Sequence, residues 1–423
     1  MKIVSLLFVV LAYSLVPAVS QEKLISRSEI PILAWYGIPP EETTPERFRE
    51  LKESGITMNL TTYPDAASMA RALDVARKVG ITMIVSCPEL KTDPASTVRR
   101  FRSHPATAGY MLRDEPGRKD FPELGEWARA IQAVDNRHFC YLNLFPNYAS
   151  EQQLGTATYT EHVDLFIKEV PVPIISFDHY PVTGDSLRPG WYENLEIIAA
   201  AARKAGKPFW AFALTVAHGP YPVPTLAQLR LQVFSDLAYG AQGIQYFTYW
   251  TPGGTEWDFH HGPIGDGGWR TEDGRQKTVD GRQKTEDGGQ KTEDRGRRTE
   301  VWDRMQQVNT EIKALSPVFK GAKVISVSHT GEVIPRGTVR PGTLPVPVKK
   351  LETIGTGAVV SVLENGNDQF LVVVNRDFLK PMQLTTEFGP GVKRVLKDGT
   401  LVPAESYTAT LEVDPGDVAV FTW

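Results

Sequence analysis

The chain reads as a (β/α)8 barrel followed by an all-β sandwich. Three observations predict this. Short apolar runs alternate with amphipathic stretches from residue 30 to about 250, a helix-to-strand junction recurs between them, and the texture changes beyond Pro317. The runs are Ile32–Gly37, Ile56–Tyr63, Ile81–Cys87, Ala108–Leu112, His138–Phe145, Ile174–His179, Phe209–Val216 and Ile244–Trp250. A doubly wound open sheet is the competing architecture, but no glycine-rich phosphate fingerprint follows the first run.

Taken in order, Met1–Ser20 has one Lys, an apolar run and a small-residue ending, Ala18-Val19-Ser20, before Gln21. That pattern predicts a secretory signal peptide and export to the periplasm or beyond the cell. No later segment approaches 18 consecutive apolar residues, so no membrane span is expected. Asp65–Gly80 places Met69, Leu73, Ala76 and Val79 on one helical face. Lys52-Glu53-Ser54-Gly55, Arg77-Lys78-Val79-Gly80 and Arg203-Lys204-Ala205-Gly206 each lead into an apolar run. A basic last turn, a glycine cap and an immediate strand describe a helix handing over to a parallel strand. A final helix at Val301–Leu315 closes the barrel, whose span is residues 28–318.

Four seven-residue units interrupt it: Thr271–Lys277, Thr278–Lys284, Thr285–Lys291 and Thr292–Arg298. A coiled coil needs apolar positions at this period, and these units have almost none. Residues 271–298 are therefore expected to be a solvated, disordered insertion. Residues 319–423 form the second domain, with strands expected at Val324–His329, Ala358–Leu363, Gln369–Asn375, Met382–Thr386, Val392–Leu396 and Val418–Trp423.

Composition narrows the function. Apolar residues are 41% and charged residues 23%, which fits a globular protein. Lys plus Arg is 46 against 50 Asp plus Glu, a net charge of −4 that argues against nucleic acid or an anionic membrane as partner. Two cysteines, Cys87 and Cys140, cannot build a disulfide framework or a four-thiolate zinc site, and both read as buried thiols. No His-Glu-x-x-His zinc signature and no Gly-x-Ser-x-Gly elbow occur, so neither a metal nor another cofactor is expected.

Barrels of this kind place their reacting groups where strands end. The fourth run ends Arg113-Asp114-Glu115-Pro116, two consecutive acids after an apolar strand. A carboxyl partly desolvated beside another carboxylate has a raised pKa and serves as a general acid near neutrality. The sixth run ends Asp178-His179-Tyr180-Pro181. Trp35 and Tyr36, Tyr63, Asn143, His218 and Trp250 occupy other strand ends, and Glu256 follows in the next loop. Glu115, Asp178 and Asp114 are the catalytic candidates. Trp35, Tyr36, Tyr63, Asn143, His179, Tyr180, His218, Trp250 and Glu256 are the substrate-binding ones. Carboxylates under aromatic walls fit an oligosaccharide or polysaccharide substrate.

The motifs Gly109-Tyr110-Met111-Leu112-Arg113-Asp114-Glu115-Pro116, Asp178-His179-Tyr180-Pro181 and Tyr249-Trp250-Thr251-Pro252 resemble those of clan A barrel glycoside hydrolases. Family 42 β-galactosidase-like proteins of polysaccharide-degrading bacteria are the nearest comparison. Leu371–Arg376 and Asp414–Phe421 are similar to their appended β-sandwich. The resemblance implies that Glu115 is the acid/base residue, with Asp114 in place of the usual Asn. It also implies a nucleophilic Glu at the end of the seventh strand, but Phe209–His218 contains no acid. Two alternatives stay open: a hexosaminidase whose substrate acetamido group acts with the Asp114–Glu115 pair, and a barrel that binds glycans without cleaving them.

Overall fold

The computed structural model describes residues 29–253, 257–266, 295–404 and 410–423. The expected signal peptide, Glu256 and most of the repeat lie outside the described residues.

Eight parallel strands form the barrel: β1 Ile32–Trp35, β2 Met58–Leu60, β3 Thr82–Val85, β4 Thr107–Asp114, β5 Phe139–Asn143, β6 Ile175–Phe177, β7 Phe209–Leu214 and β8 Ile244–Phe247. Their order around the sheet is β5-β4-β3-β2-β1-β8-β7-β6. A parallel bridge between Leu144 and Phe177, with Leu144 N–H donating to Ser176 O at 2.9 Å, joins the two ends. The main helices are α1 Pro45–Glu53, α2 Ala66–Val79, α3 Pro94–Phe101, α4 Phe121–Val134, α5 Tyr159–Glu169, α6 Trp191–Ala205, α7 Leu226–Ala238 and α8 Glu300–Phe319.

The junctions follow from local chemistry. Asp65 caps α2 by accepting from Ser68 N–H at 2.6 Å, and Gly80 ends it at φ +81°. An L side chain is strained at that angle, whereas glycine adopts it freely. Gly206 ends α6 in the same way at φ +63°.

The barrel interior is layered. Leu33, Met58, Ile84 and Trp210 form an apolar floor. Above it Tyr141, Ser176 and Gln245 are buried and hydrogen-bonded to one another. This layer supports the strand ends at which the acids emerge.

The C-terminal region holds nine strands among the described residues: β9 Lys323–His329, β10 Val348–Ile354, β11 Ala358–Asn365, β12 Asp368–Asn375, β13 Met382–Phe388, β14 Lys393–Val395, β15 Leu401–Pro403, β16 Thr410–Val413 and β17 Val418–Thr422. They make two antiparallel sheets, β9-β11-β12-β17-β14-β15 and β10-β13-β16. The larger sheet is buried on both faces. Leu371 and Val373 face the smaller sheet, while Phe370, Val372 and Val374 join the core shared with the barrel helices. That accounts for the uninterrupted apolar reading of Leu371–Val374.

One expectation needs correction. Arg295–Arg298, placed in the disordered insertion, form a strand antiparallel to Ile264–Asp266. Arg298 donates to Glu50 at 2.7 Å and its guanidinium lies 3.8 Å from the centre of the Trp302 ring. Backbone pairing and these charged contacts order the end of the repeat without an apolar side chain. Among the described residues, no helix is long and apolar enough to cross a membrane.

Candidate active site

The β4 terminus turns its two acids into one cleft. A bulge interrupts the β4–β5 register between Met111 and Arg113, after which Asp114 pairs with Asn143. Such bulges re-aim the side chains that follow. Arg113 then points outward to Asp120, with which it makes an ion pair at 3.5 Å. Glu115 adopts φ +44°, a left-handed turn that few non-glycine residues take. Its backbone N–H donates to Asn143 O at 2.8 Å, which fixes the turn. Strand alternation stops here. Asp114 and Glu115 therefore face the same space instead of opposite faces.

Asp178, at the end of β6, joins them. The Asn143 amide nitrogen donates to Asp178 at 3.1 Å and to Asp114 at 3.3 Å. Ser176 Oγ donates to the Asn143 carbonyl oxygen at 2.9 Å, and Gln245 Nε2 donates to Ser176 Oγ at 2.9 Å. Tyr141 hydrogen-bonds both Ser176 and Gln245 from below. This chain fixes which end of the Asn143 amide meets the carboxylates.

Electrostatics separate the three acids from ordinary surface carboxylates. Burial pushes Asp114 up to about 6, even though its side chain opens onto solvent at the mouth, because protein surrounds it on the other sides. Burial and then the neighbouring Asp114 charge push Glu115 up to about 7. Burial, followed by the charges of Glu115 and Asp114, holds Asp178 well above the carboxylate range. Side-chain hydrogen bonds from Asn143 and Tyr180 partly offset this at Asp178. Glu115 and Asp178 act on each other electrostatically, the Glu115 charge raising Asp178. Like charges this close resist ionising together.

The remaining candidates divide. His179 is buried, its Nδ1 is 3.1 Å from Asn194 Oδ1, and burial lowers its pKa to about 4. Tyr180 packs with Phe212, Leu214 and Val216 beneath Asp178. Trp35 lies inside the barrel, its ring 5.9 Å from Tyr141 and 5.4 Å from Phe212. His218 sits between Tyr221 at 4.8 Å and Phe259 at 4.6 Å, separated from the acids by Phe247 and Tyr180. Tyr36 is at the rim, 38% exposed.

Three expectations are corrected. Tyr63 is 1% exposed, its hydroxyl bonded to Ile38 O at 3.4 Å in the helix–sheet core. Trp250 is 3% exposed in the same core, with the Arg47 guanidinium 5.3 Å above its ring. A strand-end aromatic can turn into the core as readily as into the cleft, and burial draws these two inward. Asn143 is not free to bind substrate, because its amide is engaged by Asp114 and Asp178. It positions the acids.

Sequence reasoning missed Tyr148, Arg188, Tyr221 and Trp257. Tyr148 meets the His179 ring edge at 4.9 Å, and Arg188 lies 4.5 Å over the Tyr148 ring. Tyr148 is 46% and Trp257 56% exposed, which leaves flat apolar surface at the mouth. All four sit in loops, where no periodicity marks them. Their only sequence signal is proximity to the exits of β5, β6 and β7. Among the described residues, no group of three or more His, Cys, Asp or Glu is arranged to hold a metal ion.

β7 brings no acid. Beyond it Thr215 Oγ1 donates to Thr248 O at 2.7 Å, and Leu214 and Val216 are packed in apolar surroundings.

No family profile and no curated protein matches the chain. Among solved structures, the catalytic mutant of a GH42 beta-galactosidase from G. stearothermophilus superimposes with a TM-score of 0.59, covering 93% of this chain and 98% of that one at 8% identity. An alpha-amylase from Geobacillus thermoleovorans, complexed with acarbose, gives 0.51 over 93% and 97% at 10% identity. Glycoside hydrolases share this fold. At such identities the likeness is one of architecture, and the chemistry of this chain rests on its own cleft.

Proposed function

We propose that the protein is an exported glycoside hydrolase acting on oligosaccharides or polysaccharides, with Glu115 as general acid. One observation carries the reading: Asp114, Glu115 and Asp178 gather at the C-terminal end of the barrel, where burial and the Asp114 charge push Glu115 up to about 7. Cleavage needs a proton for the departing oxygen and stabilisation of positive charge at the anomeric carbon. Glu115 supplies the first. Asp178, held by Asn143 and Tyr180, is the leading group for the second. Export is supported by the residue pattern of Met1–Ser20.

A substrate-assisted route is a second reading, favoured by the absence of an acid beyond β7. In this route the carbonyl oxygen of a 2-acetamido group bonds to the anomeric carbon while the leaving oxygen takes the Glu115 proton. Water then reopens the ring, returning a proton to Glu115. Asp114 or Asp178 would hold the acetamido N–H.

The test is a glycan panel that includes 2-acetamido and 2-hydroxy sugars, run with Glu115→Gln. The variant is expected to lose roughly 10²- to 10⁴-fold in turnover on substrates with poor leaving groups, and less on good ones. Near-normal turnover with a poor leaving group removes Glu115 from the mechanism. Binding without any sugar released across the panel leaves a glycan-binding barrel.

A further inference from the structure

The wall beside the three acids contains a cation that no acid among the described residues balances. Arg188 arrives on the hairpin Val182–Thr183/Ser186–Leu187 after β6, its backbone N–H donating to Pro181 O at 2.8 Å. Its guanidinium lies over Tyr148 at 4.5 Å and Tyr221 at 5.5 Å, and Nη2 donates to Tyr221 Oη at 3.0 Å. Arg188 Nε is buried without a hydrogen-bond partner. No carboxylate among the described residues lies within ion-pair distance of it.

The structural arginines of this protein are held by carboxylates or by backbone carbonyls. Arg230 binds Glu311 through two nitrogens, Nε at 3.0 Å, and faces Asp417 at 3.6 Å. Arg376 spends Nη2 on the carbonyls of Thr330, Val333 and Thr356 at 2.6, 3.1 and 2.8 Å, although its Nε is also buried without a partner. Arg188 differs from both in that, among the described residues, its guanidinium meets neither a carboxylate nor a backbone carbonyl and is only partly buried, with one N–H desolvated and lacking an acceptor. Leaving such a group unmade is costly.

A second orphan touches the same tyrosine. His179 Nε2 is buried and unpartnered, on a ring 4.9 Å from that of Tyr148. Asn147 N–H donates to Asn194 Oδ1 at 2.7 Å, which marks that oxygen as an acceptor. His179 Nδ1 therefore carries the proton toward it, and Nε2 is left as an acceptor. The two orphans are complementary: one seeks an oxygen with lone pairs, the other a hydroxyl. Neutral hydroxyls alone would leave the guanidinium charge unbalanced, whereas a planar or tetrahedral oxyanion matches its fork.

We infer that Arg188, His179, Tyr148 and Tyr221 form a subsite for an anionic sugar, one bearing a carboxylate or a sulfate ester with a free hydroxyl beside it. The inference rests on the glycosidase reading and names its substrate class. Arg188 takes the oxyanion, His179 Nε2 accepts from the hydroxyl, and the tyrosines supply flat contact.

Calorimetric titration of the full chain with matched neutral, uronate-containing and sulfated oligosaccharides tests it. Acidic ligands are expected to bind at least tenfold more tightly than neutral ones, with the lead shrinking as salt rises. Chemical reduction of the uronate carboxyls to alcohols should erase the lead on that arm and separate carboxylate from sulfate recognition. Arg188→Gln should collapse the acidic-to-neutral ratio toward one, a loss of roughly ten- to a hundredfold. Arg188→Lys should retain part of it. If Arg188→Gln fails to fold, the salt dependence, the reduced ligands and Arg188→Lys decide the matter. Equal affinity for acidic and neutral ligands, or an acidic preference that survives Arg188→Gln, overturns the inference and leaves the glycosidase reading intact. Failure to bind or cleave any of the three sets overturns both.

Discussion

Glu115 ties stability to pH in a direction opposite to that of most carboxylates. Its folded pKa of about 7 lies above the ordinary 4.5, so the folded chain holds this proton more tightly than the unfolded chain does. Its contribution is complete below about pH 4.5 and is lost as pH rises through about 7. Asp114, raised from 3.8 to about 6, acts in the same sense at slightly lower pH. Glu115→Gln removes the ionisation, so its stability relative to the parent should climb between about pH 5 and 8. Denaturant midpoints for both proteins across that range measure this. A difference that stays constant with pH would mean that Glu115 titrates like a solvated carboxylate. The same residue shows what sequence could supply. Two acids after an apolar strand marked the site. The positive φ that aims both into one cleft, and the Asn143 bridge to Asp178, depend on strands far apart in the chain and have no local signal.

At the scale of elements, the barrel strands and α2 were legible because each carries its own period, cap and stop. Seven of the eight apolar runs contain their strands, β4 running past its run at both ends to Thr107–Asp114, and Asp65 and Gly80 bracket α2 as capping chemistry requires. Strand β10, Val348–Ile354, was not legible. Lys349, Lys350 and Glu352 break its apolar reading on an edge of the smaller sheet, where solvent tolerates charge. Arg295–Arg298 escaped for the same reason. Tyr63 and Trp250 were misplaced because an aromatic at a strand exit satisfies core and cleft equally well until the helices are packed. Some packing demands can be tested directly. Gly243, just before β8, lets the chain pass the Trp210 ring on the barrel floor, and a Cβ there would lie 2.6 Å from that ring. Gly243→Ala should therefore destabilise the protein by about 1–3 kcal/mol. Unchanged stability in a denaturant titration would show that Trp210 can move aside without cost.

At the scale of the molecule, barrel and sandwich share one core and one buried set of charges. Val359, Phe370, Val372 and Val418 from the larger sheet join the cluster that contains the α7 and α8 residues Leu231, Phe234, Ile312 and Leu315. Within this contact Arg230 of α7 meets Glu311 of α8 and Asp417 of the sandwich, and Lys397 meets Asp417. Two cations and two acids balance there, Arg230, Glu311 and Asp417 with little access to water and Lys397 at the edge. Such a set gives modest net stability when intact, but removing one member strands its partners in a poorly solvating place. Arg230→Met keeps most of the apolar stem and leaves Glu311 and Asp417 with Lys397 alone. A loss of about 3–5 kcal/mol is expected at neutral pH. Because the shared apolar face cannot be exposed cheaply, barrel and sandwich should still unfold in one transition, followed alike by tryptophan fluorescence and far-ultraviolet dichroism. Two separated transitions, with only one moved by Arg230→Met, would show that the sheet covers the barrel without stabilising it.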